Sequence, residues 1–359
     1  MTQHVDVLII GAGLSGIGAA CHLIREQTGS TYAILERREN IGGTWDLFKY
    51  PGIRSDSDML TFGFGFRPWI GTKVLADGAS IRDYVEETAK EYGVTDHINF
   101  GRKVVAMDFD RATAQWSVTV LVEATGGDRD VDRERPRRRL WLLQLRQGIP
   151  PPAFPPGEDD FRGQIVHPQH WPEDLDYTGK KVVVIGSGAT AITLIPSMAP
   201  PTAGHVTMLQ RSPTWIQALP SEDPVAKGLK LARVPDQIAY KIGRARNIAL
   251  QRASFQLSRT NPKLAKKLFL TQIRLQLGKN VDLRHFTPPT TTRGISACAW
   301  FPTGDLFKVL KSGKADIVTD RIATFTEKGI VTESGREIEA DVIVTATGLN
   351  VQILGGGRP

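Results

Sequence analysis

Residues 5–23 read Val5-Asp-Val-Leu-Ile-Ile10, then Gly11-Ala-Gly-Leu-Ser-Gly16, then Ile17-Gly-Ala-Ala-Cys-His-Leu23. The first run is short and apolar like a buried strand, the second is a glycine-rich turn, and the third suits a helix. A strand, this turn and a helix in this order predict the opening of a Rossmann-type nucleotide-binding domain, although a lone GxGxxG motif is weak evidence. The alternative is a glycine-rich turn that binds no ligand.

The glycines and the acid after the next strand predict how a dinucleotide would be held. Gly11 permits the tight turn, Gly13 lets a pyrophosphate approach the backbone, and Gly16 permits close packing of helix on strand. The helix N-terminus at Ser15 supplies N–H groups and the positive end of the helix dipole. The next strand ends at Glu36, 20 residues after Gly16, where a carboxylate can accept hydrogen bonds from a ribose diol.

A second Gly-Gly turn, Gly42-Gly-Thr-Trp-Asp46, comes soon after that acid. Such a turn suits FAD, whose dinucleotide extends beyond the first βαβ unit. Thr44 offers a hydroxyl and Trp45 an aromatic surface. The alternative is an ordinary turn beside a core tryptophan.

A second strand–turn–helix pattern begins at Lys181-Val-Val-Val-Ile185 and continues as Gly186-Ser-Gly-Ala-Thr-Ala191. Ala191 stands where the third glycine would be, which is a permitted small residue. The following strand ends in Arg211 instead of an acid, and an arginine there would accept a 2′-phosphate, so NADPH is favoured over NADH. Otherwise Arg211 is an ordinary surface arginine. Two dinucleotide sites together predict a flavoprotein reduced by a nicotinamide.

Composition predicts a globular protein and excludes several classes. The chain has 359 residues with 41% hydrophobic and 23% charged residues, enough for two or more domains. No apolar run approaches the roughly 18 residues of a membrane-spanning helix, and no signal peptide is visible. Cys21 and Cys298 form neither a disulfide framework nor a zinc motif. The expected location is the reducing cytoplasm, and no metal site is predicted.

The positive charge is concentrated in one segment. Residues 221–284 contain 14 Lys or Arg against 4 Asp or Glu, within a whole-chain net charge of +7. No nucleic-acid-binding motif accompanies this charge, so the readings left are a solvated helical face, cofactor steering and peripheral contact with a membrane. Apolar spacing predicts helices over 239–257 and 264–277, whose apolar faces we expect to pack on the second nucleotide-binding domain rather than on lipid.

Between the two nucleotide motifs lies Phe161-Arg-Gly-Gln-Ile-Val-His-Pro-Gln-His-Trp-Pro172. It resembles the FxGxxxHxxxWP fingerprint of type I Baeyer–Villiger monooxygenases, with matches at Phe161, Gly163, His167, Trp171 and Pro172. The runs Gly43–Asp58, His167–Asp176 and Val206–Pro213 resemble the ethionamide-activating branch of these flavin-containing monooxygenases. Read without the family, this segment is a Pro- and His-rich connector.

The resemblance implies a monooxygenase that uses FAD, NADPH and O₂. It would form a peroxyflavin that inserts one oxygen atom into a ketone, or oxidises the sulfur of a thioamide or sulfide. In this family the aspartate of the YPGxRxD turn, here Asp56, holds an active-site arginine that stabilises the anionic peroxide.

The motifs and the resemblance together predict two sets of cofactor contacts. The FAD contacts are Gly11, Gly13, Ser15, Gly16, Glu36, Thr44, Trp45, Asp46, Leu47, Asp56 and Val104. The NADPH contacts are Arg54, Ser55, Gly186, Ser187, Gly188, Ala189, Thr190, Ala191, Gln210 and Arg211.

The resemblance fails over two stretches, 124–153 and 290–301. Codons that encode them, read in a shifted frame, permit the family's YYNY segment in the first stretch and YNPWDQR in the second. The hypothesis is that both are frame-shift products, in which case the active-site arginine is lost near Ser296. The rival hypothesis is that both are genuine divergent inserts.

The predicted fold is α/β, with two nested Rossmann-like dinucleotide-binding domains and a basic helical subdomain. We expect residues 1–153 to form the first part of the FAD-binding domain and 154–318 the NADPH-binding domain, including the helical subdomain 221–285. Residues 319–359 would return to the FAD-binding domain through the Ala346-Thr-Gly348 turn and end early, since family members continue further. The alternative function is a catalytically dead, truncated relative with at most residual nucleotide binding.

Overall fold

The structure is a computed structural model that describes residues 4–122, 131–136, 140–141, 143–148, 156–278, 281–288, 298–302 and 304–353. Residues 131–148, 298–302 and 349–353 are described by their backbone within these ranges. Much of the 124–153 stretch and most of the 290–301 stretch, including Ser296, therefore lie outside the described residues.

The described residues form both strands and helices, as predicted for an α/β protein. The strands are β1 (His4–Val5), β2 (Val7–Ile10), β3 (Tyr32–Leu35), β4 (Ile98–Asn99), β5 (Arg102–Asp110), β6 (Gln115–Val122), β7 (Val131–Pro136), β8 (Leu140–Trp141), β9 (Leu143–Gly148), β10 (Gln164–Val166), β11 (Lys181–Ile185), β12 (His205–Gln210), β13 (Trp215–Leu219), β14 (Cys298–Pro302), β15 (Ala315–Thr319), β16 (Ile322–Thr326), β17 (Gly329–Thr332), β18 (Glu337–Glu339), β19 (Val342–Thr345) and β20 (Leu349–Ile353).

The helices are α1 (Leu14–Arg25), α2 (Thr44–Leu47), α3 (Met59–Phe62), α4 (Gly78–Glu91), α5 (Ala189–Met198), α6 (Pro224–Leu231), α7 (Asp236–Thr260), α8 (Pro262–Leu277) and α9 (Asp305–Lys311). Short 3₁₀ turns lie at Thr95–His97, Glu158–Asp160, Pro168–His170 and Leu283–Phe286.

Contacts between residues divide the chain into two structural units, and each unit is built from separate stretches of the sequence. Unit 1 comprises residues 1–48, 78–147 and 349–359, and unit 2 comprises residues 49–77 and 148–348. These boundaries differ from the expected domains in two places, because 49–77 and 319–348 both belong to unit 2. The reason for the second difference is that β19 lies between β10 and β11 in the main sheet of unit 2.

Unit 1 is built on the predicted βαβ pattern. Strands β4, β3, β2 and β8 form a sheet in that order, and β2 pairs in parallel with both β3 and β8. A second sheet has the order β1-β7-β6-β5. Apolar residues from the two sheets form a common core, in which Leu8 and Leu35 pack with Met107 and Val118.

Unit 2 is built on a five-stranded sheet with the order β10-β19-β11-β12-β15, and all four of its strand pairings are parallel. Strands β16, β17 and β18 form an antiparallel sheet. Phe325 and Ile330 of this smaller sheet share a core with Val183 and Ile343 of the larger one. Burial of these side chains explains why the 322–339 segment stays with unit 2.

The basic segment forms three consecutive helices, α6 to α8. Helix α7 begins earlier and ends later than predicted, while α8 matches the prediction closely. Asn261 separates them, and its side chain accepts a hydrogen bond from the Leu264 N–H at the start of α8. The expected packing of the apolar face of α7 differs from the structure, because its buried residues are Tyr240, Gly243 and Ser258.

Polar side chains hold α7 against the 58–61 turn. The buried Asp58 carboxylate accepts hydrogen bonds from Asn247 Nδ2 and Gln251 Nε2, each at 2.8 Å. The same carboxylate caps α3 by accepting from the Thr61 N–H at 3.0 Å. Arg244 Nη1 donates to the Leu60 carbonyl at 2.6 Å. Hydrophobic periodicity carries no signal for this docking, which explains why the sequence did not predict it.

We expect Asp58→Ala to lower the free energy of unfolding of unit 2 by about 2–3 kcal/mol, because it removes the carboxylate that caps α3 and accepts hydrogen bonds from two side chains of α7. The measurement is denaturant unfolding followed by circular dichroism. Asp159→Ala, which removes an exposed acid of the same unit, is the matched control and should change little. Equal stability of the two variants would show that the Asp58 network contributes nothing.

Candidate functional site

The first candidate site is the turn between β2 and α1. Gly11 has φ +93°, which favours glycine, and a Cβ built on it would meet nothing within 4 Å. A Cβ on Gly16 would lie 1.9 Å from the Gly11 carbonyl oxygen and 3.2 Å from Ile9 Cγ2. The roles predicted for Gly11 as a turn residue and for Gly16 as a close-packing residue therefore agree with the geometry.

The second Gly-Gly turn lies directly against the first turn. A Cβ on Gly43 would lie 3.0 Å from the Gly13 Cα, and Gly42 N–H donates to the Ala12 carbonyl at 3.1 Å. Gly43 itself has φ +56°. These contacts bring the two predicted FAD-binding segments together, and the positive φ and close approach at Gly43 favour glycine at that position.

The Glu36 side chain is buried and ordered by backbone donors. Its Oε2 accepts from the Ala12 N–H at 2.7 Å, and its Oε1 accepts from the Arg38 N–H at 2.9 Å. Each carboxylate oxygen keeps a second lone pair that can accept from a ribose hydroxyl. The acid predicted from its spacing is thus held at the edge of the glycine turn.

Sequence reasoning missed Arg38, which ties the site together. Its guanidinium donates to Asp46 Oδ2 from Nε at 2.9 Å and from Nη2 at 2.6 Å. Asp46 is almost completely buried, so this predicted FAD contact has a structural ion pair as well. Arg38 and Asp46 are eight residues apart, and no spacing rule in the sequence pairs them.

The remaining predicted FAD contacts lie in different surroundings. Ser15 and Thr44 are exposed, while Trp45 and Leu47 are half-buried. The Val104 side chain is buried in the core of unit 1, so its backbone is the part that a ligand can reach. Asp56 belongs to unit 2 and is exposed. The position near Ser296 at which the partner arginine is expected to be lost falls outside the described residues.

The second candidate site is the turn between β11 and α5. Gly186 has φ +136°, and a Cβ on it would lie 2.3 Å from the Ala346 carbonyl oxygen. The Ala346-Thr-Gly348 turn therefore packs on this nucleotide-binding turn. A Cβ on Gly188 would meet nothing within 4 Å, and Ala191 is fully buried, as its predicted packing position requires.

Ser187 links this turn to the segment that follows β12. Its Oγ donates to the Ser212 carbonyl at 3.0 Å and lies 2.9 Å from Thr214 Oγ1. The exposed Arg211 therefore stands one residue from a direct contact of the glycine turn. Gln210 differs, because its buried Nε2 donates to the His285 carbonyl and to Thr319 Oγ1, both at 2.8 Å.

The turn at Tyr50–Gly52 rests on helix α5. A Cβ on Gly52 would lie 1.9 Å from Ser197 Oγ, so only glycine fits. Burial raises the pKa of Tyr50, while hydrogen bonds with the side chains of Thr193 and Thr190 oppose that shift. Thr190, predicted as an NADPH contact through its position at the helix N-terminus, therefore also anchors this turn.

Arg54 and Ser55 follow this turn, and both have protein partners. Arg54 Nη1 donates to Asp305 Oδ2 at 2.7 Å, an ion pair that the sequence did not predict. Ser55 Oγ donates to the Ser57 carbonyl at 2.6 Å, and the Ser55 N–H donates to Ala76 at 2.9 Å. The Ser55 hydroxyl is thus used within its own turn.

The Phe161–Pro172 fingerprint has a clear packing role at its start. A Cβ on Gly163 would lie 2.4 Å from Phe161 Cζ and 2.3 Å from the Asp341 carbonyl oxygen. Phe161 itself is buried in the core of unit 2. The Phe-x-Gly spacing is therefore explained by an aromatic ring that covers the glycine. Trp171 is half-buried where the 168–170 turn ends.

His167 is the fingerprint residue with an unusual environment. Its Nδ1 accepts from the Gln169 N–H at 3.2 Å, and its buried Nε2 has no hydrogen-bond partner in the part of the chain that the structure describes. Burial lowers the pKa of His167, and the neighbouring His170 lowers it further. The backbone of Gly348 opposes this lowering of the pKa, although it forms no well-formed hydrogen bond with Nε2. Because Nδ1 accepts the hydrogen bond from the Gln169 N–H, Nε2 is the nitrogen that carries hydrogen in the neutral form of the ring.

Both helix N-termini fit the pyrophosphate of a dinucleotide. Within the described residues, no side chain caps α1 at Gly13 or α5 at Gly188, and neither first turn contains an acid. Their N–H groups and positive dipole ends are thus available to an anion. Gly11 and Gly188 also leave open space beside their Cα atoms. The backbone N–H donors of these two turns therefore suit FAD in unit 1 and NADPH in unit 2.

The described residues contain no cluster of three or more His, Cys, Asp or Glu residues able to hold a metal ion. They also contain no helix of sufficient length and apolarity to cross a membrane.

The fold and these two turns define an α/β protein with two dinucleotide-binding sites. The Flavin-binding monooxygenase-like family model matches residues 74–275, and an NAD(P)-binding Rossmann-like domain model matches residues 9–73. The chain belongs to the flavin-binding monooxygenase-like family. The predictions of the family, of the fold class and of FAD with a nicotinamide dinucleotide as the family's cofactors are confirmed.

Similar proteins support this assignment over almost the whole chain. The FAD-containing monooxygenase MymA of Mycobacterium tuberculosis is 55% identical over 100% of this chain and 72% of its own length. EthA of Mycolicibacterium smegmatis, also described as an FAD-containing monooxygenase, is 50% identical over 99% of this chain and 71% of its own length.

Solved structures show the same fold at lower identity. A steroid monooxygenase bound to NADP has a TM-score of 0.75 at 24% identity, over 97% of this chain and 71% of its own. An open cyclohexanone monooxygenase has a TM-score of 0.74 at 22% identity, over 97% of this chain and 74% of its own.

Proposed function

We propose that this chain is an FAD- and NADPH-dependent monooxygenase. It transfers one oxygen atom from O₂ to a ketone in a Baeyer–Villiger reaction, or to the sulfur of a thioamide or sulfide. The other oxygen atom leaves as water, and NADPH supplies the two electrons. The observation that carries this proposal is the pair of glycine turns, each leading into an uncapped helix N-terminus.

The bound flavin would supply the reaction with O₂, and the protein's own groups would bind and orient. In unit 1 the backbone N–H groups after Gly13 would hold the pyrophosphate of FAD, and Glu36 would accept hydrogen bonds from its ribose. In unit 2 the turn at Gly188 would hold the pyrophosphate of NADPH, and Arg211 its 2′-phosphate. Asp56 is the proposed catalytic carboxylate; the resemblance pairs it with an active-site arginine, which is lost near Ser296 if 290–301 is a product of a shifted reading frame.

The ketone substrate is supported by the fingerprint and by the names of structurally similar proteins, and the sulfur substrate by the resemblance of three sequence runs to the ethionamide-activating branch. Cyclohexanone and steroid monooxygenases share this fold. The test loads the purified chain with FAD and follows NADPH oxidation and O₂ uptake, with cyclohexanone and with a thioamide. Substrate-dependent turnover with formation of the ester or the S-oxide is expected. Flavin reduction without any oxygenated product would leave a nicotinamide oxidase, and absence of flavin binding would support the dead relative.

We also propose that 124–153 and 290–301 are products of a shifted reading frame. The support is that their permitted codons encode the family's YYNY and YNPWDQR segments when shifted. Sequencing of the genomic DNA across both stretches decides the matter, since codons that forbid these segments contradict the proposal. Genuine inserts would require another active-site cation in place of the arginine expected near Ser296.

The proposed location is the cytoplasm, where NADPH is supplied in reduced form, with peripheral contact to a membrane. The concentration of basic residues in α6 to α8 supports the membrane contact. Fractionation of cells that produce the chain would test both parts, and recovery from an extracytoplasmic compartment would contradict the first.

A further inference from the structure

Helix α8 presents apolar side chains on two different faces. Ala265 and Ile273 are buried against unit 2. Leu264, Leu268 and Leu275 are instead 42%, 51% and 81% exposed. Their spacing of four and then seven residues places them in one row along an α-helix. Packing among the described residues of unit 2 buries the first face and leaves the second face exposed.

A row of basic side chains runs beside this leucine row. Lys263, Lys267 and Arg274 each directly precede one of the three exposed leucines. One residue corresponds to about 100° around a helix, so the two rows lie side by side. All three basic residues are exposed. Their long apolar stems can lie along a hydrophobic surface while their charged ends reach anions at its boundary.

The surroundings of α8 carry the same combination of charge and apolar surface. Residues 224–277 contain twelve Lys or Arg and one acid, Asp236. On α7, Ile238 and Ile242 are spaced by four residues and are 50% and 44% exposed. Gln272 Nε2 donates to the Ala218 carbonyl at 2.9 Å, which fixes α8 to β13 and holds its leucine row outward.

We propose that α8 docks flat on an anionic phospholipid surface, with Leu264, Leu268 and Leu275 inserted among the lipids and Lys263, Lys267 and Arg274 on the phosphates. Charge complementarity selects this occupant, because anionic headgroups attract such a basic surface and its leucines gain from burial. A second copy of this chain is disfavoured, since it would bring two basic rows together. The proposal goes beyond the proposed oxygenation and does not depend on it.

The test is co-sedimentation of the full chain with vesicles of phosphatidylcholine alone or mixed equally with phosphatidylglycerol. We expect at least tenfold tighter binding to the anionic vesicles, because each basic side chain near the surface contributes about fivefold. Binding should weaken strongly in 0.5 M salt, at about which the screening length falls to roughly 4 Å. Leu268→Ser with Leu275→Ser should reduce binding at least tenfold, and Lys263→Glu with Lys267→Glu should do the same.

Matched variants separate this face from general effects. Ile70→Ser removes an apolar side chain that is 52% exposed elsewhere in unit 2, and Lys308→Glu with Lys311→Glu reverses two exposed charges on α9. Both should bind vesicles normally. Circular dichroism and FAD content report folding and the proposed function separately from vesicle binding.

Two outcomes would overturn the membrane proposal. One is equal or absent binding to both kinds of vesicle by the unaltered, folded chain. The other is normal vesicle binding by the leucine variant together with a change of its oligomeric state in sedimentation equilibrium, which would assign the face to contact between copies.

Discussion

Gly13→Asp is expected to abolish FAD retention, with at least a hundredfold loss of affinity, while leaving unit 1 folded. Gly13 is the N-cap of α1, with φ −83° and ψ −174°, a conformation that aspartate adopts readily at this position. Its carboxylate would accept the helix N–H groups that the pyrophosphate needs and would repel the phosphates. The added cap should stabilise the apo-protein by only a few tenths of a kcal/mol, since glycine is itself an acceptable N-cap residue.

Gly13→Asp is expected to affect ligand binding and not folding. Gly16→Ala is the contrasting variant, in which both should be affected. The alanine Cβ would lie 1.9 Å from the Gly11 carbonyl oxygen, so we expect this variant to lose both FAD and thermal stability. The measurements are flavin absorbance after desalting and the melting temperature of the apo-protein. Normal flavin content in Gly13→Asp would show that FAD does not bind at α1.

The matched variant in the other unit is Gly188→Asp. Gly188 has nearly the same backbone conformation, φ −80° and ψ −179°, at the N-cap of α5. This variant should keep FAD and lose NADPH binding, as measured by calorimetric titration. The same cofactor loss in both variants would contradict the assignment of one dinucleotide to each unit.

Arg211→Ala should weaken NADPH binding by about 30- to 200-fold and leave NADH binding nearly unchanged. A charge-assisted hydrogen bond to a phosphate contributes roughly 2–3 kcal/mol, and only NADPH carries the 2′-phosphate. Arg211 follows β12 directly, and the next residue, Ser212, accepts a hydrogen bond from Ser187 in the glycine turn. The measurement is the Kd of each nucleotide.

Arg211→Lys should recover part of the preference, because lysine keeps the charge and loses the bidentate geometry. Arg252→Ala removes an exposed arginine of α7 and serves as the control, with no change in either affinity expected. Equal losses for NADPH and NADH in Arg211→Ala would show that this side chain does not recognise the 2′-phosphate.

The amino-acid sequence by itself determined both nucleotide-binding turns and the family. The information is local there, because a strand, a positive-φ glycine and a helix start fall within a dozen residues. Gly11 and Gly186 are required by backbone conformation, and the packing glycine Gly16 by a clash with a residue five positions earlier. Such constraints are visible in the order of residues alone.

Tertiary structure decided which chemically similar residues serve which purpose. Arg38 pairs with Asp46, which is 8 residues away in the sequence, and Arg54 pairs with Asp305, which is 251 residues away. Gln210 turned towards His285 and Thr319. Spacing rules carry no signal for such pairs, because polar partners are selected by three-dimensional proximity and burial.

The same distinction between sequence and tertiary structure applies to the burial of apolar side chains. Helical periodicity predicted α8 but not which of its apolar rows would be covered. Ile273 is buried, while Leu275, two residues later, is 81% exposed. The sequence determines the helix and its rows through the 3.6-residue repeat, whereas only packing against the neighbouring strand decides which row remains at the surface.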